Sequence, residues 1–175
     1  MDNVITAERG KEGALPGGTT AVLDHGSDRG VEEEEMAGRS SARLLITAST
    51  RGEVETVARR IHRTSFRATA PFVRVRTGTL PIEPQLLRER CSALLDAATG
   101  GSMLMTDVEE MPASVQGLLV QLLADLQSAR APSAAVRVIS GTTVSLLDRI
   151  AAGTFSERLF YRLNLLHLVV RSSAP

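Results

Sequence analysis

The sequence predicts an α/β fold: a parallel five-stranded sheet in three layers, with helices on both faces. Two observations lead there. From Arg43 onward, five short strand-like runs alternate with segments of helical periodicity, and strands separated by helices pair in parallel. The 175-residue chain is 43% hydrophobic but only 3% aromatic, so an ordinary single-domain core can form, built from Leu, Val, Ile and Ala.

The elements follow in order. RLLIT, from Arg43 to Thr47, is a buried strand. EVETVARRIHRTS, residues 53–65, places Val54, Val57, Ala58 and Ile61 on one helical face. PFVRVRT alternates as a strand, and PIEPQLLRERCSALLDAA is a helix with proline at its start. GSMLMTD is a strand behind two glycines. PASVQGLLVQLLADLQSA is a long amphipathic helix whose Pro112 suits its first turn. AVRVISGTT is a strand, VSLLDRIAAG a helix closed by Gly153, and NLLHLVV a last strand. Ligands of such sheets sit at the carboxyl ends of the strands. The loops after Thr47, Thr106 and Ser140 are therefore where chemistry is expected.

Residues 1–41 differ in kind. Rich in Gly, Ser, Asp and Glu, with the run Glu32–Glu35 and no sustained apolar period, they read as a disordered acidic tail ahead of a domain spanning 42–175. Residues 1–42 carry nine acidic and four basic side chains, net −5. Residues 43–175 carry eleven and sixteen, net +5, and every one of those cations is arginine, because the single lysine is Lys11. Such a tail either solvates the chain or meets a basic surface, its own or a partner's.

Several functions are excluded at this level. No apolar run approaches the roughly 18 residues of a membrane span, and MDNVITAERGKEG has no signal-peptide layout. A cytoplasmic location without membrane contact is expected. Cys91, the only cysteine, rules out an internal disulfide and a cysteine-based zinc site, and reads as a small half-buried hydrophobe. His25, His62 and His167 lack metal spacing, so no metal site is expected. Arg59, Arg60 and Arg63 share a helix with acids. Arg74 and Arg76 share a strand face, either as a modest anion patch or as an exposed sheet edge. Direct DNA binding would need a larger clustered excess of cations.

LLITASTRGEVETVARRIH, residues 44–62, has the strand–loop–helix order of a phosphate-binding loop without its glycines and lysine. From Leu44 to Val169 the chain resembles the central AAA+ domain of sigma-54-dependent transcription activators, a P-loop NTPase-like fold. LLIT with VARRIHRTSFRATAPFV resembles that family's first strand, first helix and approach to the second strand. GGSMLMTDVEEMPASVQGLLVQLLAD resembles its Walker B strand and following helix. VRVISGTT resembles its sensor strand, and GTFSERLFYRLNLLHLVV its arginine-finger segment.

The resemblance implies where ATP and magnesium would sit, and the residues there depart from the pattern. The loop G-x-x-x-x-G-K falls on Ala48, Ser49, Thr50, Arg51, Gly52, Glu53 and Val54, followed by Glu55. A phosphate cradle needs inward N–H groups, a helix N-terminus and a lysine on the outer phosphates. Glu53 instead brings a carboxylate. Two like charges about 4 Å apart at a surface repel by about 4 kcal/mol, roughly three decades of affinity. The Walker B acids fall on Thr106 and Asp107. Asp107 is either an exposed acid at a strand end or, with a register shift, a metal-binding acid. Thr143 takes the sensor position. The two finger positions fall on Ser156 and Arg162, and Arg162 is either a finger or an interface ion-pair residue.

The insertion with which the family touches sigma-54, its helical lid and its DNA reader find no counterpart up to Pro175. The expectation is a pseudo-ATPase without cofactor that regulates bacterial transcription by protein contact. Its partner would be a full-length sigma-54 activator or a second copy. The alternatives are a residual ATP-binding regulator, with Arg51 as phosphate cation and Asp107 as acid, and a scaffold for an unrelated partner.

Overall fold

The computed structural model describes residues 19–24, 28–128 and 136–171. Among the described residues, twelve strands and α-helices follow one another: β1 (Thr19–Asp24), α1 (Asp28–Arg39), β2 (Leu44–Thr47), α2 (Arg51–Arg63), β3 (Phe72–Arg76), α3 (Pro84–Ala97), β4 (Ser102–Thr106), α4 (Ala113–Ser128), β5 (Arg137–Thr142), α5 (Leu146–Ala151), α6 (Glu157–Leu163) and β6 (Leu166–Arg171). The strands form one sheet in the order β1-β6-β2-β5-β4-β3, and every pairing is parallel.

Strand alternation sorts the core into two halves. Leu44, Ile46, Leu104, Ile139 and Leu168 face α1 and α2, where they meet Val54, Val57, Ala58 and Ile61. Leu45, Met103, Met105 and Val138 face the other way, onto α3, α4 and α6 through Leu87, Leu119, Leu123 and Leu159. The expected three layers are present, and the four apolar residues assigned to one face of α2 are all buried. None of the described helices is long and apolar enough to cross a membrane.

The sheet has six strands, not five, and the sixth lies in the stretch read as a disordered tail. β1 pairs with β6 over six residues, from Thr19 beside Leu166 to Asp24 beside Arg171. α1, which contains Glu32–Glu35, packs on α2. Its Ala37 is 1% exposed, and its Glu34 is paired with Arg60 at 2.8 Å. Gly38 lies so close to the end of α2 that an added Cβ would meet the Thr64 hydroxyl at 2.5 Å. The folded unit therefore includes residues 19–24 and 28–41, and the part of the tail reading that concerns residues 1–18 and 25–27 lies outside the described residues.

A buried cation fixes this addition. Arg137 opens β5, is 2% exposed, and donates from Nη2 to the Ala37 carbonyl at 2.7 Å and from Nε to the Ala42 carbonyl at 3.3 Å. The carbonyls at a helix C-terminus carry partial negative charge, which suits a cation. Burial pulls the Arg137 guanidinium down to about 10, still protonated at neutral pH.

Candidate functional site

The carboxyl ends of β2, β4 and β5 converge with the N-terminus of α2, where Arg51, Val54, Thr106, Asp107 and Thr143 of the residues singled out in the sequence meet. Ala48 stays in the sheet, donating its N–H to the Thr142 carbonyl at 3.2 Å. Thr50 is the N-cap of α2 and Glu53 closes a capping box. The Glu53 N–H reaches the Thr50 hydroxyl at 3.2 Å, and the Thr50 N–H reaches Glu53 Oε2 at 3.0 Å. A capping box satisfies helix-end donors that an anion would otherwise use. The Glu53 carboxylate thus occupies the start of the helix.

Val54 is 1% exposed and lies on the strand that faces it. Gly141 of β5 makes room for it, since an added Cβ there would meet Val54 Cγ1 at 2.2 Å. The position is a core position, and it ties α2 to the middle of the sheet. Glu55, one residue on, pairs with Arg74 of β3. Gly52 lies in the first turn of α2 and is exposed.

Asp107 holds the centre. It has φ +57°, a left-handed conformation that aspartate tolerates better than most residues, and it is the one non-glycine residue with positive φ among those described. That turn carries its carboxylate inward, where it is 5% exposed. Two arginines meet it. Arg51 Nε lies 2.8 Å from both carboxylate oxygens, and Arg76 Nε lies 3.0 Å from Oδ2. Arg76 also donates from Nη2 to Glu110 at 2.9 Å. The hydrogen bond to Asp107 raises the Arg51 guanidinium further above its ordinary range. The reading of Asp107 as an exposed acid at the strand end is corrected: it is a buried carboxylate between two cations.

Around it the other partners are filled from within the chain. Thr106 is buried, with its hydroxyl 3.5 Å from Asp107 Oδ2. Thr143 gives both its N–H and its hydroxyl to Glu109 Oε1, each at 3.1 Å. The cleft bounded by Arg51, Val54, Asp107, Gly141 and Thr143 is too tight to admit a water molecule. Arg74 and Arg76, read as an anion patch or open edge, are paired with Glu55 and with Asp107 and Glu110.

Arg162 is not brought to this cleft. It is half-buried on α6, and its charge, after burial, helps lower the guanidinium of Arg43, which leads into the opposite end of β2. Ser156 is the N-cap of α6, accepting from the Leu159 N–H at 3.3 Å. Sequence reasoning named Arg76 only with Arg74 on a strand face and Glu109 only as an acid of the loop after β4, and it brought neither to its partner here, Asp107 or Thr143. Their only local signal is a charge placed at a strand end or in the loop beside one.

Comparison with known proteins places this geometry. Residues 24–169 match the sigma-54 interaction domain family. The regulatory protein AtoC of Escherichia coli K12 is 32% identical over 149 residues, covering 75% of this chain and 32% of that protein. The DNA-binding transcriptional regulator NtrC of the same organism is 34% identical over 148 residues, covering 74% and 32%. The chain thus spans about a third of the length of these relatives. Among solved structures, NtrX of Brucella abortus in complex with ATP superposes with a TM-score of 0.67 at 31% identity, over 80% of this chain and 36% of that one. The P-loop NTPase domain of the E. coli sigma-54 transport activator superposes at 0.58 and 21% identity, over 79% and 98%, a likeness of fold alone.

Proposed function

The chain belongs to the sigma-54 interaction domain family, and from that premise we propose that it is a pseudo-ATPase regulating transcription by protein contact, its partner a full-length sigma-54 activator. The reading rests above all on Asp107, whose carboxylate is neutralised by Arg51 and Arg76 at 2.8 and 3.0 Å. An acid already held by two guanidiniums has little negative charge left for a magnesium ion. Val54, packed on Gly141, stands where the family resemblance puts the phosphate-binding lysine. Glu53 covers the helix N-terminus with a carboxylate. These residues do not fit a triphosphate with its metal, and no chemical step is derived through one.

The competing reading keeps nucleotide binding. It is favoured by one observation: Arg51, at the start of α2, lines the same cleft as Asp107 and Thr143. Release of Arg51 from Asp107 would free a cation for a phosphate. Calorimetry of the chain with magnesium and ATP separates the two. The pseudo-ATPase reading expects no heat of binding up to millimolar nucleotide. Binding in the micromolar range, lost in Arg51→Ala, would replace it with the nucleotide-binding reading. Co-purification with a full-length activator, independent of nucleotide, tests the contact role itself.

A further inference from the structure

We propose that the carboxyl end of α2 and the turn after it bind single-stranded nucleic acid. Phe66 stacks on a base, and Arg59 and Arg63 meet the phosphates. The proposal goes beyond the contact-protein reading and does not depend on it.

Cations cluster here in a way that the sequence conceals. No acidic residue stands between Glu55 and Glu83, a stretch that holds six arginines. The acids that sequence order sets against them are engaged elsewhere. Glu53 closes the capping box at the opposite end of α2, Glu55 pairs with Arg74, and Glu34 of α1 pairs with Arg60. Arg59 and Arg63 are exposed and, among the described residues, form no ion pair. Four residues apart, they share one stripe of the helix. Arg67 and Arg137 add two buried cations, 6% and 2% exposed. His62 reports the convergence: its imidazole is lowered first by burial, and the charges of Arg137, Arg59 and Arg63 lower it further.

Aromatic rings stand among these cations. Phe66 follows Arg63 in a turn wound by the Ser65 N–H on the His62 carbonyl at 3.2 Å and the Ala68 N–H on the Ser65 carbonyl at 3.1 Å. At 69% it is the most exposed large apolar side chain among the described residues. The Arg67 guanidinium lies over one face of its ring at 4.8 Å, which leaves the other face for a base. Arg59 is held over Phe72 at 5.0 Å. An exposed ring flanked by arginines is the means by which single strands are held without regard to sequence. A duplex keeps its bases stacked on one another and offers Phe66 no partner. An acidic protein surface would match the arginines but not the ring. A membrane surface would need an apolar helix face, and the exposed residues of α2 are Arg51, Gly52, Thr56, Arg59, Arg60 and Arg63.

Fluorescence anisotropy of labelled oligothymidylate titrated with the 175-residue chain tests this. Saturable binding is expected, tighter for the single strand than for a duplex of equal length. It should fall with salt by a log–log slope of about −0.7 for each arginine engaged. Phe66→Leu should weaken it about fivefold or more, and Phe66→Trp should retain it, which separates stacking from side-chain bulk. Arg59→Gln combined with Arg63→Gln should flatten the salt dependence. Oligouridylate in the same assay shows which sugar is preferred, and binding of either strand supports the proposal. No binding at low salt, equal binding of the duplex, or a Phe66→Leu variant that binds like the parent would overturn it. So would polyglutamate or phosphatidylserine vesicles that bind as tightly and with the same loss in Phe66→Leu, because the surface would then serve an acidic protein or a membrane.

Discussion

At the scale of the residue, charge placement governs this molecule more than side-chain size. Asp107 is buried yet partnered by two arginines, each nearly half exposed. The guanidiniums keep contact with water while the carboxylate does not, which lessens the desolvation cost of the pair. His167 is the opposite case. It shares a hydrogen bond with Thr47 at 2.9 Å, and burial pushes its imidazole down to about 4. A histidine that folds neutral stabilises the chain fully above the unfolded value near 6.5. That contribution is lost as pH falls toward 4, because the unfolded chain takes up a proton that the folded one resists. The whole span corresponds to roughly 3 kcal/mol. His62, lowered first by burial as well, acts in the same direction. Urea denaturation at pH 7.5 and pH 5 should show the loss, and His167→Gln should flatten it. An equal slope in that variant would show that other groups cause it.

Among the elements, α2 begins with a cap and a core residue where the family resemblance puts a phosphate-binding loop. Its N-terminus is closed by its own threonine and glutamate, and its fourth residue is a wedge in the sheet. Val54→Lys would restore the cation that the family resemblance puts there. It would also remove an apolar contact and force an ammonium beside Arg51 from a site that is 1% exposed. A loss of about 2–4 kcal/mol is expected, from combined burial and charge effects, read as a lower urea midpoint. A variant as stable as the parent would mean that this loop can still open to a lysine. The helices were mostly legible because their apolar residues recur at 3.6. Val54, Val57, Ala58 and Ile61 announce the buried face of α2 without any knowledge of what it covers. α6 was not read from periodicity, since seven residues give less than two turns of pattern.

The molecule as a whole is a six-stranded sheet closed at one edge by a piece that looked dispensable. β1 and α1 add a strand against β6, cover Ile61 through Ala37, and accept a hydrogen bond from Arg137. Removing residues 1–41 would uncover the β6 edge and leave the Arg137 guanidinium without the Ala37 acceptor. Loss of a hydrogen bond from a charged donor costs about 1.5–3 kcal/mol, and an exposed strand edge promotes aggregation. The shortened chain should therefore denature at a markedly lower urea concentration or precipitate. An unchanged midpoint would show that the added unit only rests on the surface. The acidic run Glu32–Glu35 belongs to the same unit.

What the sequence determined by itself was the alternation of strand and helix, the two-sided core, and the residues that would meet at the strand ends. Those features are written in local periodicity and in order along the chain, which survive without any knowledge of partners. Tertiary structure alone decided the rest. Asp107 is clamped by Arg51, 56 residues away in sequence, and by Arg76 on a neighbouring strand. α1 is helical with Glu32–Glu35 in its middle because Arg60, Arg137 and the face of α2 hold it. Both outcomes depend on contacts between segments far apart along the chain. The free energy of such contacts is set by burial and geometry, and neither is expressed in the run of residues that a periodicity can read.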